Sequence, residues 1–274
     1  MLQLGKTGKK LVKQKGCLME QVKSAQVTTA FCEKNGKSDP LSDGISSVEL
    51  LRVSGSDLDI ANAARVSYGR VSTTISDRDS KLIGFLMEHD HTSPFEHNQL
   101  SFRIKAPIFL ARQWMRHRMN SYNEISYRYV TVKTEFYIPK EFRYQDTVNK
   151  QSSNGAFFDE SLSALYKKTV DDSYKAYEQL LEAGVCREQA RALLPVGVYT
   201  EFIFTCNMHS LMHFMKLRLS HGAQSEIRDY AKALLRLALP HFPVTLSAWQ
   251  KKYLIGEEWA NTIKEWTEQL GDNH

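Results

Sequence analysis

The sequence lacks the features that mark a membrane-spanning, secreted or disulfide-linked protein. No apolar run approaches the ~20 residues that a membrane helix needs, and the N-terminus has no apolar core of the secretory kind. Only four cysteines occur among 274 residues, and none has the C-x-x-C spacing of zinc and redox sites. We therefore expect reduced thiols, no membrane partner and a cytoplasmic location.

Residues 1–44 lack arginine and any sustained hydrophobic period. They hold eight lysines and four acids, a net charge of 8 − 4 = +4, which leaves 5 − 4 = +1 for the other 230 residues. A nearly neutral body does not favour nucleic acid as a partner. We interpret 1–44 as a flexible Lys-rich extension; the missing arginine argues against organellar targeting, which nevertheless stays open.

The remaining sequence alternates between strand and helix patterns. A period of two over Leu100–Lys105 predicts a strand, and Ser76 is a suitable N-cap for a helix that ends near His89. Further elements are predicted at 48–53, 57–67, 107–118, 158–183, 199–205, 208–219 and 223–239. We expect one α+β domain over 45–245, with a small sheet flanked by several helices, and a helical tail over 246–274.

Two predicted helices carry arginines on unusual faces. In 107–118, Arg112, Gln113, Arg116 and His117 share a narrow polar arc, which we expect to face an internal cavity and to bind anions. The alternative is that the arginines merely complement the helix dipole. In 208–219, Arg218 projects onto the apolar side, either as a structural salt bridge or as the holder of an anionic ligand.

The segment from His89 to His97 has three histidines and two acids within nine residues. The spacing H-x-H-x5-H, without cysteine, is a weak pattern for metal ligands. Packed or hydrogen-bonded histidines and non-metal active-site roles are the other interpretations. A metal-dependent hydrolase would use His89, His91, Glu96 and His97.

Arg116-His117-Arg118, seven further residues and Ser126 form an RHR-x7-S signature, and with it the chain resembles the flavin-dependent thymidylate synthases. The likeness spans about 47–240. Other segments that carry it, in the same order, are Ala63–Ser67, His91–His97, Lys105–Phe109, Glu135–Pro139, Arg187–Arg191, Leu194-Pro195 and Leu217-Arg218.

This resemblance implies a homotetramer with active sites at subunit interfaces, FAD as cofactor and reductive methylation of dUMP to dTMP. Methylenetetrahydrofolate would supply the carbon and NAD(P)H the reducing equivalents, with no metal. Arg218 would activate the uracil ring without an enzyme nucleophile, because a cationic donor stabilises charge that develops on the ring.

The resemblance also implies residue roles. The predicted catalytic residues are Arg218 and His91, which matches a histidine near the flavin and folate. The predicted dUMP contacts are Gln113, Arg116, Glu124, Ser126, Tyr127, Arg128, Arg191 and Arg218. The predicted FAD contacts are Ser93, Arg116, His117, Arg118, Glu124, Asn207, His209 and His213. The family has arginine where this chain has His209.

A single-stranded RNA-binding module is a competing interpretation from another functional class. Its phosphate contacts would be Arg112, Arg116, Arg118 and Arg128, and its stacking residues Trp114, Tyr122, Tyr127 and Tyr129. The nearly neutral body argues against it.

Overall fold

The computed structural model describes residues 36–150 and 153–254 and alternates strands with helices. The strands are β1 (Lys37–Ser38), β2 (Ser47–Ser54), β3 (Gln99–Pro107), β4 (Ser121–Glu124), β5 (Phe142–Gln145), β6 (Ser153–Phe157) and β7 (Tyr199–Asn207). The α-helices are α1 (Asp57–Arg65), α2 (Asp77–Glu88), α3 (Ile108–Trp114), α4 (Glu160–Glu182), α5 (Arg187–Ala190), α6 (Met208–Arg218), α7 (Ser225–Ala238) and α8 (Pro243–Tyr253).

Five strands form one antiparallel sheet in the order β1-β2-β3-β7-β4, and β5 and β6 form a separate two-stranded sheet. β3 and β7 pair along their whole length, from Gln99 opposite Asn207 to Pro107 opposite Tyr199. The predicted α+β class with a small sheet is therefore confirmed. Among the helices in the described ranges, none is both long and apolar enough to cross a membrane.

β7 passes directly into α6, without an intervening loop. The Asn207 side chain accepts a hydrogen bond from the Ser210 N–H at 2.8 Å, which satisfies one of the free donors in the first turn of α6. This cap fixes the point at which extended backbone becomes helical. The position of α6 is therefore tied to the register of the sheet.

Trp114, at the end of α3, is fully buried where the sheet meets the helices. Its ring lies edge-on to Phe202 and Phe204 of β7, with centroids 5.6 Å away in both cases, and 4.7 Å from Phe214 of α6. Replacing such a side chain by alanine typically costs about 3–5 kcal/mol. This packing holds α3 against β7 and α6.

The helix predicted over 107–118 ends at Trp114 rather than at Arg118. The Tyr122 hydroxyl donates to the carbonyls of Trp114 (3.3 Å) and His117 (2.8 Å), and the Asn120 amide donates to His117 O at 3.0 Å. These side chains satisfy carbonyls at the end of the helix, so the chain can turn into β4. The Arg116-His117-Arg118 segment consequently lies in a turn.

The predicted N-terminal extension and C-terminal tail lie partly outside the described residues, which begin at 36 and end at 254. Within 36–44, β1 pairs with β2, and Asp43 accepts a hydrogen bond from the buried Tyr199 hydroxyl. Towards the other terminus, Asp57 accepts from the N–H groups of Val244 (2.8 Å) and Thr245 (3.0 Å) and thereby anchors the start of α8.

Candidate active site

The end of α6 meets the turn after α3 through Arg218 and His117. Arg218 Nε donates a hydrogen bond to His117 Nε2 at 3.1 Å, and Arg218 Nη2 lies 3.5 Å from the carbonyl oxygen of Gln113. Within the described residues, no carboxylate forms an ion pair with Arg218. The salt-bridge interpretation of this arginine therefore has no partner there, and its charge is left uncompensated.

His117 is buried, with 8% of its surface exposed, and its ring packs 4.7 Å from that of Phe214. Burial lowers the pKa of His117 to about 4, assisted by the positive charge of Arg218 and by His213. The ring is therefore neutral at pH 7. Because Nε2 accepts from Arg218, the ring proton resides on Nδ1. Burial also lowers the pKa of Arg218, which nevertheless stays protonated.

The arc predicted over Arg112 to His117 is only partly correct. His117 is buried, but Arg112 and Arg116 are exposed, and so is Arg118. Gln113 is half-buried and donates through Nε2 to the Gln224 side-chain oxygen at 2.5 Å. The expectation of an enclosed cavity is therefore wrong for the arginines of a single chain: Arg112 lies on the exposed side of α3, and Arg116 and Arg118 follow its last residue.

The exposed face of α6 carries the other predicted cofactor contacts. His209, His213 and Lys216 line a cavity of about 160 Å³, and His209 Nδ1 lies 3.5 Å from Glu96 Oε1. Lys216 Nζ sits 4.4 Å from the centre of the Tyr253 ring. The rest of the lining is mostly apolar, with Leu86, Met87, Phe95, Met212 and Trp249, and it also includes Asp90. The cavity therefore combines an apolar wall with polar donors from α6.

His91 and Ser93 are both exposed and lie just after α2. Ser93 begins the short turn Ser93–Glu96, which packs against α6. The His91 ring is 5.8 Å from that of Phe85 and 6.1 Å from that of His89. In the described ranges, no group of three or more histidine, cysteine, aspartate or glutamate side chains is placed to hold a metal ion. The geometry of these histidines is that of an aromatic cluster.

A second group of predicted residues follows β4. Arg128 forms an ion pair with Glu188 of α5 at 3.0 Å, and both side chains are more than half exposed. Ser126 Oγ accepts the backbone N–H of Arg128 at 3.4 Å. Among the described residues, no side-chain base lies within hydrogen-bonding distance of Ser126 Oγ. A serine nucleophile needs such a base to take its proton.

Glu124 and Tyr127 are held by β7. Glu124 accepts a hydrogen bond from Thr200 Oγ1 at 2.6 Å, and the Tyr127 hydroxyl donates to the carbonyl of Tyr199. Burial raises the pKa of Tyr127 to about 12, with nearby glutamates contributing. Because the Tyr127 hydroxyl already makes a hydrogen bond within the fold, a ligand would contact the backbone of Tyr127 rather than its side chain.

Several arginines in this set have no partner within the ranges that the structure describes. Across that part of the chain, the side chains of Arg116, Arg118 and Arg191 form no hydrogen bond or ion pair. In the same part, no hydrogen bond, ion pair or ring contact joins Ser126, Arg128 or Arg191 to the His117–Arg218 pair. Within the described part of a single chain, these residues therefore form two groups that are not in direct contact.

Sequence reasoning missed Glu188 and Gln224, the partners of Arg128 and Gln113. Glu188 lies inside the Arg187–Arg191 segment that carries the family likeness, so that segment contained a usable signal. Gln224 stands far from Gln113 in the sequence, and nothing local indicates the contact. Tyr122 caps α3, whereas the sequence suggests only a stacking role for it.

Comparison with known proteins identifies the family. The family model described as thymidylate synthase complementing protein matches residues 49–244. A flavin-dependent thymidylate synthase of Thermus thermophilus is 49% identical over 209 residues, covering 76% of this chain and 77% of that protein. The flavin-dependent thymidylate synthase of Kosmotoga olearia is 46% identical over 204 residues, covering 73% and 88%.

A solved structure has a similar fold. The crystal structure of the UMP/dUMP methylase PolB from Streptomyces cacaoi, bound with 5-Br dUMP, superposes with a TM-score of 0.70 and 34% identity, covering 75% of this chain and 95% of that one. The match to the family model covers most of the chain and includes both groups of site residues. The chain belongs to the flavin-dependent thymidylate synthases and is an enzyme of that family.

Proposed function

We propose that the protein converts dUMP to dTMP by reductive methylation, with FAD as cofactor, methylenetetrahydrofolate as carbon donor and NAD(P)H as reductant. The observation that carries the proposal is Arg218, a half-buried arginine that meets a neutral histidine instead of a carboxylate. Such a guanidinium is available to an electron-rich ligand. The nucleotide bound in the related UMP/dUMP methylase supports the choice of substrate.

Arg218 would act on the uracil ring. Carbon–carbon bond formation at uracil C5 requires electron density in the ring, and a cationic donor at a ring oxygen or nitrogen stabilises the resulting negative charge. A preorganised donor of this kind lowers the barrier by about 3–4 kcal/mol. Ser126, which lacks a neighbouring base among the described residues, would position dUMP without attacking it.

The phosphate of dUMP would bind the second group of residues. Arg191 has no partner among the described residues, and Arg128 is held only by an exposed ion pair with Glu188. Exposed pairs of this kind contribute about 0–1 kcal/mol, so a phosphate can replace the carboxylate at little cost. Gln113, Glu124, Ser126 and the Tyr127 backbone would hold the rest of the nucleotide.

The residues present fit FAD. The unpartnered Arg116 and Arg118 provide cationic donors for a pyrophosphate. The ring nitrogens of His209 and His213, which line the cavity beside α6, add polar groups that can hydrogen-bond to it. Ser93, Glu124 and Asn207 would supply further polar contacts, and His91 would lie beside the reacting rings. FAD, when bound, would supply the redox chemistry by which NAD(P)H reduces the transferred carbon group.

The lack of direct contact between the two groups supports active sites built between subunits. If one chain supplies Arg218 and its neighbour supplies Arg191, then no active site is complete in a single chain. We assign the protein to a homotetramer on this ground and on the family resemblance. Each subunit would contribute to more than one site.

Complementation between two impaired variants tests the proposal. At a dUMP concentration well below the wild-type KM, Arg218→Ala would make little dTMP because it lacks the activating donor, and Arg191→Ala would make little because it binds dUMP weakly. Co-refolded mixtures would regain activity, because some sites combine two intact groups. The assay would supply dUMP, methylenetetrahydrofolate and NAD(P)H, and would quantify dTMP. Arg103→Ala, at an exposed ion pair with Glu201 3.6 Å away, is the control that mixing should leave unaffected.

A mixture no more active than its components would contradict the shared site. Wild-type protein that lacks both the visible absorbance of an oxidised flavin and dTMP formation would contradict the function itself. Flavin-free protein that bound single-stranded RNA would favour the RNA-binding interpretation instead.

A further inference from the structure

His117 is the least exposed member of the RHR signature, and its environment differs from that of the two arginines. It is 8% exposed, whereas Arg116 and Arg118 are both exposed. One ring nitrogen accepts from Arg218, and the ring packs against Phe214. Only Nδ1 is left for any other partner, so the side chain is badly placed to serve mainly as a cofactor ligand.

The contact between His117 and Arg218 controls the orientation of the guanidinium. Nε is the donor nearest the aliphatic part of arginine, and anchoring it limits rotation of the guanidinium plane. The carbonyl of Gln113, 3.5 Å from Nη2, restrains the same group from a second direction. The remaining N–H donors stay free for a ligand.

The charge of the acceptor matters as much as its position. A carboxylate in place of His117 would form a charge-assisted, bidentate pair with the guanidinium and offset its positive charge. A neutral imidazole accepts one hydrogen bond and leaves that charge intact. The turn after α3, fixed by Tyr122 and Asn120, holds the imidazole in place.

We propose that His117 is a positioning residue for Arg218: its neutral ring fixes the plane of the guanidinium and preserves the positive charge that stabilises the uracil ring. This inference rests on the proposed function. It assigns the side chain of His117 to the activation of the substrate, in addition to any contact that its backbone makes with FAD.

Four variants separate the hydrogen bond, the charge and the packing. His117→Gln keeps a neutral acceptor near the position of Nε2, His117→Glu keeps an acceptor but adds a negative charge, and His117→Leu removes the acceptor. Phe214→Leu is the matched control, because it disturbs packing around the ring and leaves the acceptor in place. For each variant, kcat, KM for dUMP, flavin occupancy and the rate of flavin reduction by NAD(P)H are measured.

We expect kcat of His117→Gln to stay within about fivefold of wild type, and kcat of His117→Leu and His117→Glu to fall by about 30- to 100-fold, as for a misplaced or neutralised transition-state donor. Flavin occupancy and flavin reduction should stay close to wild type in all three. Phe214→Leu should lower the melting temperature more than kcat.

Equal losses in the Gln and Leu variants would overturn the positioning role, and an active Glu variant would overturn the role of charge. Loss of flavin in all three would identify the side chain as a cofactor ligand. A crystal structure of His117→Leu with an unchanged guanidinium plane would also overturn the inference, whatever the activity. Wild-type protein that forms no dTMP would instead reject the proposed function, and this crystal structure would still test the positioning. If the Leu variant does not fold, the Gln and Glu pair decides.

Discussion

The two groups of site residues differ in how completely one chain organises them. His117 and Arg218 are half-buried or buried, hydrogen-bonded to each other and packed beside Phe214. Arg191 has no partner among the described residues, and Arg128 is held by a single exposed ion pair. We call the first the activation group and the second the anchoring group, as their proposed roles are uracil activation and phosphate binding.

This difference indicates where preorganisation is needed. A donor that stabilises charge in a transition state must already be oriented, because any reorganisation adds to the barrier. A phosphate ligand tolerates mobile arginines, since its charge draws them into place when it binds. Substitutions in the activation group should therefore reduce kcat, and those in the anchoring group should weaken binding.

Arg218→Ala is expected to have the largest effect. Losing the oriented donor should raise the activation barrier of methylation by about 3–4 kcal/mol. The rate of flavin reduction by NAD(P)H should stay close to wild type. Ser126→Ala, in the anchoring group, should remain measurably active. The two variants are compared by dTMP formation and by stopped-flow flavin reduction.

If both variants lost methylation activity equally and modestly, Arg218 would be a structural arginine. The difference between the activation and anchoring groups would then not hold. A Ser126→Ala protein with normal dUMP and FAD binding but no dTMP would restore the serine nucleophile.

Substitutions in the anchoring group should act mainly on affinity. Arg191→Ala is expected to weaken dUMP binding by about 1.5–3 kcal/mol, the range of a charge-assisted contact, with a smaller change in kcat. Arg191→Lys should recover only part of this, because an ammonium lacks the planar fork. Calorimetry with dUMP gives the affinities, and a loss confined to kcat would place Arg191 in the activation group.

Acid should destabilise the fold at the activation group. The pKa of His117 is about 4 in the fold and 6.5 as an unperturbed side chain, so the unfolded chain binds more protons between these values. The stability that depends on neutral His117 is fully present above pH 6.5 and is lost as the pH falls towards 4. This histidine should account for about 2.5 kcal/mol of the loss by pH 4.5.

The difference between wild type and His117→Gln in chemical denaturation isolates this contribution, because carboxylates titrate in both proteins. Parallel stability curves over that pH range would mean that His117 is as exposed in the native protein as in the unfolded one.

Tyr122→Phe should have the smallest effect. It removes the hydroxyl that donates to the carbonyls of Trp114 and His117, at a cost of about 1 kcal/mol in unfolding free energy. Because the same hydroxyl steadies the turn that carries His117, kcat should fall slightly while dUMP affinity stays constant. A change in dUMP affinity without a change in kcat would show that Tyr122 does not act through the activation group.

Local patterns predicted much of the fold. Ser76 precedes a helix as expected, and its N–H donates to the Asp79 carboxylate at 2.8 Å. The helix predicted over 158–183 is observed at Glu160–Glu182. It ends just before Gly184, which has a positive φ of 85°. These signals lie within a few residues of the element that they define. The RHR-x7-S signature contains a member of each group, His117 and Ser126, while the roles of these residues stay a prediction.

Contacts between distant segments explain what the sequence could not provide. α3 ends at Trp114 because of Tyr122 and Asn120, which belong to the next turn and strand. The partner of Arg218 lies about a hundred positions earlier, and helical projection gives only the side of a helix, never the group that it meets. The strand β4 and the β5–β6 hairpin are short and irregular, and periodicity did not reveal them.

Because β7 continues directly into α6, the orientation of the whole helix depends on the backbone at Asn207. α6 is 11 residues long, about 16 Å at the usual helical rise, so a small tilt at Asn207 becomes a larger displacement at Arg218. β7 is paired on both sides, with β3 and β4, and these hydrogen-bonded pairings restrict movement of the backbone at the end of β7. The alignment of the reactive end is therefore set at the opposite end of the helix, and mutations at Asn207 should misdirect a group that they never touch.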